Sequence, residues 1–296
     1  MGTVDGRTVT CLNNDNLTAT FGRYTEPFFL EDCDGVYEVS NNVSTSDNTM
    51  TDGATYLGSV TKLRNIVLTL RDRPGGDHRE NRTLLYNLFK PKSAGTLTYK
   101  EDDIERQIDY YVESVSIGGT ERARQATVSL ICPDPFFVDP DEITVILAGW
   151  DAQFEFEHEF VDGGEELGVR VQELSKTIEN TSAAENIGLT ITIEAEGAVT
   201  TPTVTHVEQE ESITVGTDDM PYTMAMGDMV IITTGTNNKH VYEVVDGVQT
   251  EINEYLTEDS EFFQLMSGEN TIGFSAVSGE DNMIVTVSYQ YRYLGC

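Results

Sequence analysis

NRTLLYNLFKPKSAGTLTY, residues 81–99, sets a helix, a corner and a strand side by side. Leu84, Leu85, Leu88 and Phe89 recur at helical spacing, which predicts an amphipathic helix over residues 80–89 with these four on its buried face. Pro91 stops it, because the pyrrolidine ring removes a backbone donor and collides with the preceding turn. Pro91 and Gly95 are then expected to turn the chain so that Leu97 and Tyr99 enter a strand. No other stretch carries a helical period as clear, so the surroundings are read as strand.

Upstream, Ile66, Leu68 and Leu70 alternate with polar residues. Downstream, Ile108, Tyr110 and Val112 alternate, and Val115 and Ile117 resume on the opposite parity, as a β-bulge would require. Ala126, Val128, Leu130 and Cys132 follow, until PDPFFVDPDE (133–142) breaks the pattern as an extended linker or domain boundary. Beyond it Phe154, Phe156 and Phe160 alternate with Glu155, Glu157 and Glu159, and Ile187, Leu189, Ile191 and Ile193 form a further series. HVYEVVDGVQTEI (240–252) predicts a hairpin, since Asp246-Gly247 supplies the positive φ angles of a two-residue turn. Met283, Val285, Val287, Tyr289 and Tyr291 close the chain. SNNVSTSDNTMTDGATY (40–56) reads as a mobile loop.

The pattern predicts a mainly β protein of two domains. Residues 1–140 form a β-rich domain with one helix, and residues 141–296 form an all-β sandwich or barrel. The last strand either completes the second domain or returns to the first.

Net charge is −33, unevenly spread: residues 1–140 hold 14 Lys+Arg against 21 Asp+Glu, and residues 141–296 hold 4 against 30. Such a surface repels nucleic acid and anionic membranes, so no direct grip on nucleic acid is expected. Ten of the eighteen basic residues fall between Lys62 and Arg106, a local concentration that suggests a contact surface for an acidic protein. No run approaches eighteen apolar residues, so no membrane insertion is expected. The first residues lack the basic start and apolar block of a signal peptide, which points to a cytosol or a particle assembled there.

Chemistry finds little footing. Cys11, Cys33, Cys132 and Cys296 have neither CxxC nor zinc-finger spacing, and Cys296 reads as an exposed thiol. Glu155, Glu157 and Glu159 lie on the face opposite Phe154, Phe156, His158 and Phe160, a solvated strand face rather than a metal site. DNTMTDG (47–53) places Thr49 and Met50 where a calcium loop needs oxygens in register. His78, His158, His206 and His240 sit in no triad or HExxH setting; His78 is expected to face solvent. Gly75-Gly76 and Gly118-Gly119 read as turns. Trp150 is a core residue or, as the weaker alternative, a sugar-stacking one. No catalytic residue, metal or cofactor is therefore assigned.

Several segments, in order, resemble the distal tail protein (Dit) family of tailed bacteriophages. In the first half they are GATYLGSVTKLRNIVLTL (53–70), NRTLLYNLFKPKSAGTLTYKEDD (81–103), RQIDYYVESVSIG (106–118) and ARQATVSLICPDPFFVD (123–139). In the second half they are MAMGDMVIIT (224–233), VYEVVDG (241–247), EFFQLMSGENTIGF (261–274) and VTVSYQYRYLG (285–295). The resemblance implies a non-enzymatic virion component assembled in the host bacterial cytoplasm: an N-terminal ring-forming domain and a C-terminal galectin-like β-sandwich. It further implies a homohexamer joining the tail tube protein to a tail-tip hub of tail-associated-lysin type, with receptor-binding or baseplate proteins attached. In that setting Lys90, Pro91 and Lys92 are candidates for a subunit or tube interface. Two readings of the corner stand, since the lysines also suit the negative end of a helix dipole. The alternative function is a carbohydrate-binding adhesin, with the second domain gripping host cell-wall glycans.

Overall fold

The computed structural model describes residues 6–48, 52–73, 77–120, 123–152, 168–172, 174–182, 186–217 and 219–296. The chain forms two compact units, one of residues up to Pro140 with Arg292–Cys296, the other Asp141–Tyr291. The fold is mainly β, as the alternation predicts.

The strands of the first unit begin with β1 (Thr8–Asn13), β2 (Thr18–Gly22), β3 (Phe28–Asp34), β4 (Asn41–Asp47), β5 (Ala54–Thr61) and β6 (Arg64–Asp72). Helix α1 (His78–Leu88) follows, then β7 (Ala94–Glu101), β8 (Ile104–Thr120), β9 (Ala123–Cys132) and β10 (Phe137–Val138). Strand β8 organises the sheet. Its first half pairs with β7 and its second half with β9, so the order β8-β7-β1-β2-β3-β6-β9 returns to β8 and closes a barrel. The two halves are offset by a register shift between Val112 and Ser114, the bulge that the parity change predicts. Gly118 and Gly119 lie inside this strand and not in a turn.

Alternate residues of these strands face a common core that includes Val9, Ile66, Leu68, Leu70, Leu97, Tyr99, Tyr110, Val128 and Leu130. Helix α1 adds Leu85, Leu88 and Phe89 to it, and Phe89 stacks on Phe21 with ring centroids 6.2 Å apart. The helix starts earlier than periodicity indicates, because the Asp77 side chain accepts from the backbone N–H groups of Arg79 and Glu80. Its buried stripe is correspondingly Asn81, Leu85 and Leu88, whereas Leu84 is 40% exposed. Asn81 is tolerated inside because its amide donates to Asp72 Oδ1 at 2.6 Å. Asp72 also binds His78 Nδ1, so His78 is half-buried and paired instead of free in solvent.

Within the 40–56 stretch, expected to be a loop, residues 41–47 and 54–56 are strand. Strands β4 and β5 pair antiparallel from Asn41↔Thr61 to Asp47↔Ala54 and form a separate two-stranded sheet. The segment around Phe136-Phe137 is likewise more than a linker. Phe137 is buried, and β10 pairs with Gln107 of β8.

In the second unit the strands are β11 (Ile143–Ala152), β12 (Gly168–Gln172), β13 (Ser175–Asn180), β14 (Thr190–Ala195), β15 (Val199–His206), β16 (Glu211–Thr214) and β17 (Thr223–Met224). They continue with β18 (Met229–Gly235), β19 (Asn238–Val245), β20 (Val248–Glu251), β21 (Gly268–Ser278) and β22 (Met283–Tyr289). One sheet runs β12-β11-β22-β14-β18-β19-β20, the other β13-β21-β15-β16 with β17 beside β15. Ile191, Ile193, Val230, Ile232, Val285 and Val287 of the first sheet share a core with Ile178, Val204, Ile213, Ile272 and Phe274 of the second. That shared core makes the unit a β-sandwich. Asp246 and Gly247 both take positive φ, 50° and 76°, in the turn from β19 to β20, as the sequence predicts. Residues 153–160, with the predicted Phe/Glu alternation and His158, lie outside the described residues, as do Gly75 and Gly76.

The final strand, β23 (Arg292–Tyr293), pairs with β10 and so joins the first unit's sheet.

Candidate assembly surface

The corner after α1 is a hydrogen-bonded turn, with the Ser93 N–H donating to the Lys90 carbonyl at 3.0 Å. Pro91 takes the second position and Lys92 the third, where φ is +67°. This is the arrangement of a type II turn, whose third position favours glycine. Pro91 and Lys92 therefore make the turn. Gly95, by contrast, is already in β7, where a Cβ would sit 2.2 Å from the Leu12 carbonyl oxygen and 2.6 Å from Tyr110 Oη. Its role is close approach between strands.

Before the turn, the helix end is satisfied internally. Asn13 Nδ2 donates to the carbonyls of Asn87 and Leu88 at 3.2 and 3.1 Å. Lys90 Nζ lies 2.5 Å from Asp15 Oδ2 on the same surface. The KPK lysines thus differ: Lys90 is engaged within the unit, and Lys92 is held outward by a turn that disfavours its side chain.

The same distinction runs through the basic segment. Arg71 pairs with Glu31, and Arg73 donates to the carbonyls of Thr25 and Arg23. Lys100 pairs with Glu105, Arg106 donates to the Gly295 carbonyl, and Arg64 is buried. With Lys90, six of the ten cations counted in the sequence are consumed internally. Lys62, Arg79, Arg82 and Lys92 have no side-chain partner among the described residues. Arg79 and Arg82 stand one turn apart on α1, on the flank that also carries exposed Tyr86. Apart from Lys62 after β5, the free cations of the segment therefore gather on α1 and its corner, a much smaller surface than composition indicates.

Arg64 acts inside. Its Nη1 donates to the carbonyls of Gly35 and Val36 at 2.7 and 2.8 Å, its Nε to Pro135 at 2.8 Å, and its Nη2 to Leu294. The guanidinium also lies 4.9 Å from the Phe137 ring centroid. Burial lowers its pKa, and no carboxylate accompanies it among the described residues; carbonyl dipoles do that work. The neighbouring thiols are shielded too. Burial raises Cys33, Cys132 and Cys296 to about 12, and Cys11 well above its ordinary value. Cys296 is half-buried against the barrel core, not the exposed thiol expected of it.

The third feature is the β4–β5 arm. Every described residue of β4 is exposed, and Val43, Tyr56, Leu57 and Val60 present apolar side chains to solvent. A two-stranded hairpin with no sheet beneath it is marginal in water, and both its edges carry unpaired backbone groups.

Two family profiles match the chain. Residues 22–132 match the phage tail protein RIFT-related domain, and residues 182–293 match the C-terminal domain of the siphovirus-type tail component. The chain belongs to the siphophage distal tail protein family. Solved structures share the distal tail protein's fold over nearly its whole length. The crystal structure of the SPP1 Dit protein, described as a paradigm of the hub adsorption apparatus in phages infecting Gram-positive bacteria, is 15% identical. It covers 97% of this chain and 99% of its own, with a TM-score of 0.67. Chains of the phage P2 baseplate in its activated conformation, one with Ca and one with Sr, are each 9% identical. Each covers 98% of this chain and 99% of its own, with TM-scores of 0.56 and 0.54. A comparison with curated protein sequences finds no match.

Within this distal tail protein, Trp150 lies on β11 opposite Arg170 of β12, and its side chain is outside the described part of the structure. The arm is the feature sequence reading missed. Its signal was the β-branched content of Val43, Thr45, Thr55, Val60 and Thr61 on either side of Gly53, masked by the Ser/Asn/Asp-rich composition.

Proposed function

We propose that the protein closes into a homohexameric ring at the tail tip, joining the tail tube protein to the tail-tip hub, and that it acts without catalytic turnover. The observation that carries this reading is the β4–β5 arm: exposed apolar side chains on a hairpin that needs a partner surface. A neighbouring copy supplies such a surface in a head-to-tail contact, and repeated rotation closes a ring. Arg79, Arg82 and Lys92 give the helix side a positive face on a protein of net charge −33, suited to an acidic neighbour or tube subunit. The ring would carry receptor-binding or baseplate proteins, and assembly would take place in the host bacterial cytoplasm.

Light scattering of the purified chain, with negative-stain imaging, tests this directly: rings of six copies are expected. Replacing residues 42–59 by a short Gly-Ser linker should leave a folded monomer. A wild-type chain that stays monomeric at all concentrations, and is monomeric within virions, overturns the proposal. So does a ring that persists without the arm.

A further inference from the structure

The second unit holds a cleft of about 690 Å³, within the size range of small-ligand sites. It is lined by the turn between β18 and β19, the turn between β15 and β16, and residues 262–264. We propose that this cleft is a carbohydrate-binding site, giving the second unit a recognition role separate from ring formation.

Phe262 sets the chemistry. It packs on the sandwich core, remains half-exposed, and lines the cleft. A pyranose has an apolar C–H face that lies on an aromatic ring, and a rim of hydroxyl groups that both donate and accept. Around Phe262 the cleft is lined by the side-chain amides of Gln209, Asn237 and Gln264, beside Glu211 and His240; Gln264 Nε2 already donates to the Thr234 carbonyl at 2.9 Å, which leaves its oxygen to accept. An amide offers a donor pair and an acceptor together, which matches a hydroxyl rim better than a charged group does. The Gln209 side-chain oxygen is buried with no hydrogen-bond partner among the described residues. A buried acceptor left in that state is costly, and a ligand hydroxyl would remove the cost if the Gln209 amide turned outward to meet it. Asn237 stands at the tip of the β18–β19 turn with φ of +62°, is exposed, and lines the cleft.

Lys239 decides between ligand classes. Its Nζ lies 6.0 Å from the Phe262 ring centroid, and it has no carboxylate partner among the described residues. In a unit with Arg170, Lys176 and Lys239 as its only cations against 30 acids, a nucleic acid would be repelled. An apolar peptide would leave the Asn237 amide and the lysine without a polar partner from the ligand. A polyhydroxylated, uncharged ligand satisfies all of them, with Lys239 donating to hydroxyl or ring oxygens.

The test uses the full chain with cellohexaose, maltohexaose and chitohexaose, read by saturation-transfer NMR and calorimetric titration. At least one hexasaccharide should bind with Kd below about 1 mM. Three variants probe the site. Phe262→Leu keeps the core contact but removes the aromatic face. Lys239→Ala removes an exposed ammonium. Asn237→Gly removes the amide while suiting the positive φ. Each should weaken binding at least about fivefold at an unchanged Tm. No binding of any of the three sugars at roughly ten times that concentration overturns the proposal, as does binding that survives all three substitutions. Variants that block tail assembly without a glycan effect would assign the cleft to a protein contact instead, which also overturns it. Ring formation is read separately by light scattering, so the two proposals fail independently.

Discussion

Arg64 donates through Nη2 to the carbonyl oxygen of Leu294, 230 residues further along the chain. The same buried guanidinium holds Gly35, Val36 and Pro135, so one side chain gathers three distant segments of the first unit. Replacing it by Met keeps much of the volume and leaves four carbonyls without their donor, that of Val36 buried and the other three partly so. Each such loss costs about 1–3 kcal/mol, with partial relief where water enters. Arg64→Met should therefore lower the first unit's stability by about 3 kcal/mol, read as a shift in its urea midpoint. Deleting residues 292–296 should produce a loss in the same unit, since β23 and its carbonyls go with it. An unchanged midpoint in both variants would mean that the return strand contributes nothing to the barrel.

Leu84 and Leu85 are neighbours in sequence with opposite fates. Leu85 is fully buried in the barrel core, and Leu84 is 40% exposed. Leu85→Ala should cost about 2–5 kcal/mol, and Leu84→Ala should stay within about 0.5 kcal/mol. Equal losses in thermal unfolding of the two variants would contradict the helix orientation described here.

That pair also shows where sequence stops being informative. Periodicity finds a helix, but a face made of Leu84, Leu85, Leu88 and Phe89 ignores that buried Asn81 is paid for by Asp72, a partner from another element. The barrel strands were legible because each alternates, and the bulge in β8 because one residue of parity slip is visible in Val112 and Val115. The arm was not, since its few apolar residues are scattered among Ser, Asn, Thr and Asp on strands that cover no core, and periodicity needs a core to produce it. Nor was the fate of the basic segment: only the fold brings Glu31 to Arg71 and Asp15 to Lys90. Phe262 escaped notice as a cleft residue because EFFQL carries no period that separates a half-exposed ring from a core one.

The four thiols should be unreactive in the folded protein. Burial raises Cys33, Cys132 and Cys296 from 9.0 to about 12, so the nucleophilic thiolate is scarce at neutral pH. Ellman's reagent at pH 8 should react slowly, and with all four cysteines only after denaturation. The same shifts fix a pH dependence. Below pH 9 both folded and unfolded chains hold these protons. Between 9 and about 12 the unfolded chain releases them and the folded chain does not, so stability falls as pH rises. Tyr99 and Tyr110, also raised by burial, add to the loss above pH 10. Thermal unfolding should therefore move to lower temperature from pH 9 upward, and a flat Tm between pH 8 and 11 would refute this.

Gly95 carries a different kind of constraint. Gly95→Ala places a methyl group 2.2 Å from the Leu12 carbonyl oxygen, a backbone atom that cannot step aside without parting β1 from β7. The loss should exceed the roughly 1–3 kcal/mol typical of overpacking, measurable as a lowered denaturation midpoint. A near-neutral variant would show that the two strands separate easily.

Lys92 holds a positive φ of 67° where glycine is preferred, and a non-glycine residue there carries a conformational cost of about 1–2 kcal/mol. Lys90, by contrast, is occupied by Asp15 in an exposed pair of little energetic weight. If the corner serves only to end the helix, Lys92→Gly should stabilise the chain by roughly 0.5–1 kcal/mol and change nothing else. If the lysine is retained for a neighbour, as the ring proposal holds, the same variant should be more stable as a monomer yet assemble less well. The loss of assembly should deepen with Arg79→Glu and Arg82→Glu, whose side chains continue the same cationic face. Sedimentation measured alongside thermal unfolding separates the two cases, because stability and assembly move in opposite directions in only one of them. A Lys92→Gly protein that gains stability and forms rings as readily as the parent would remove the corner from the interface.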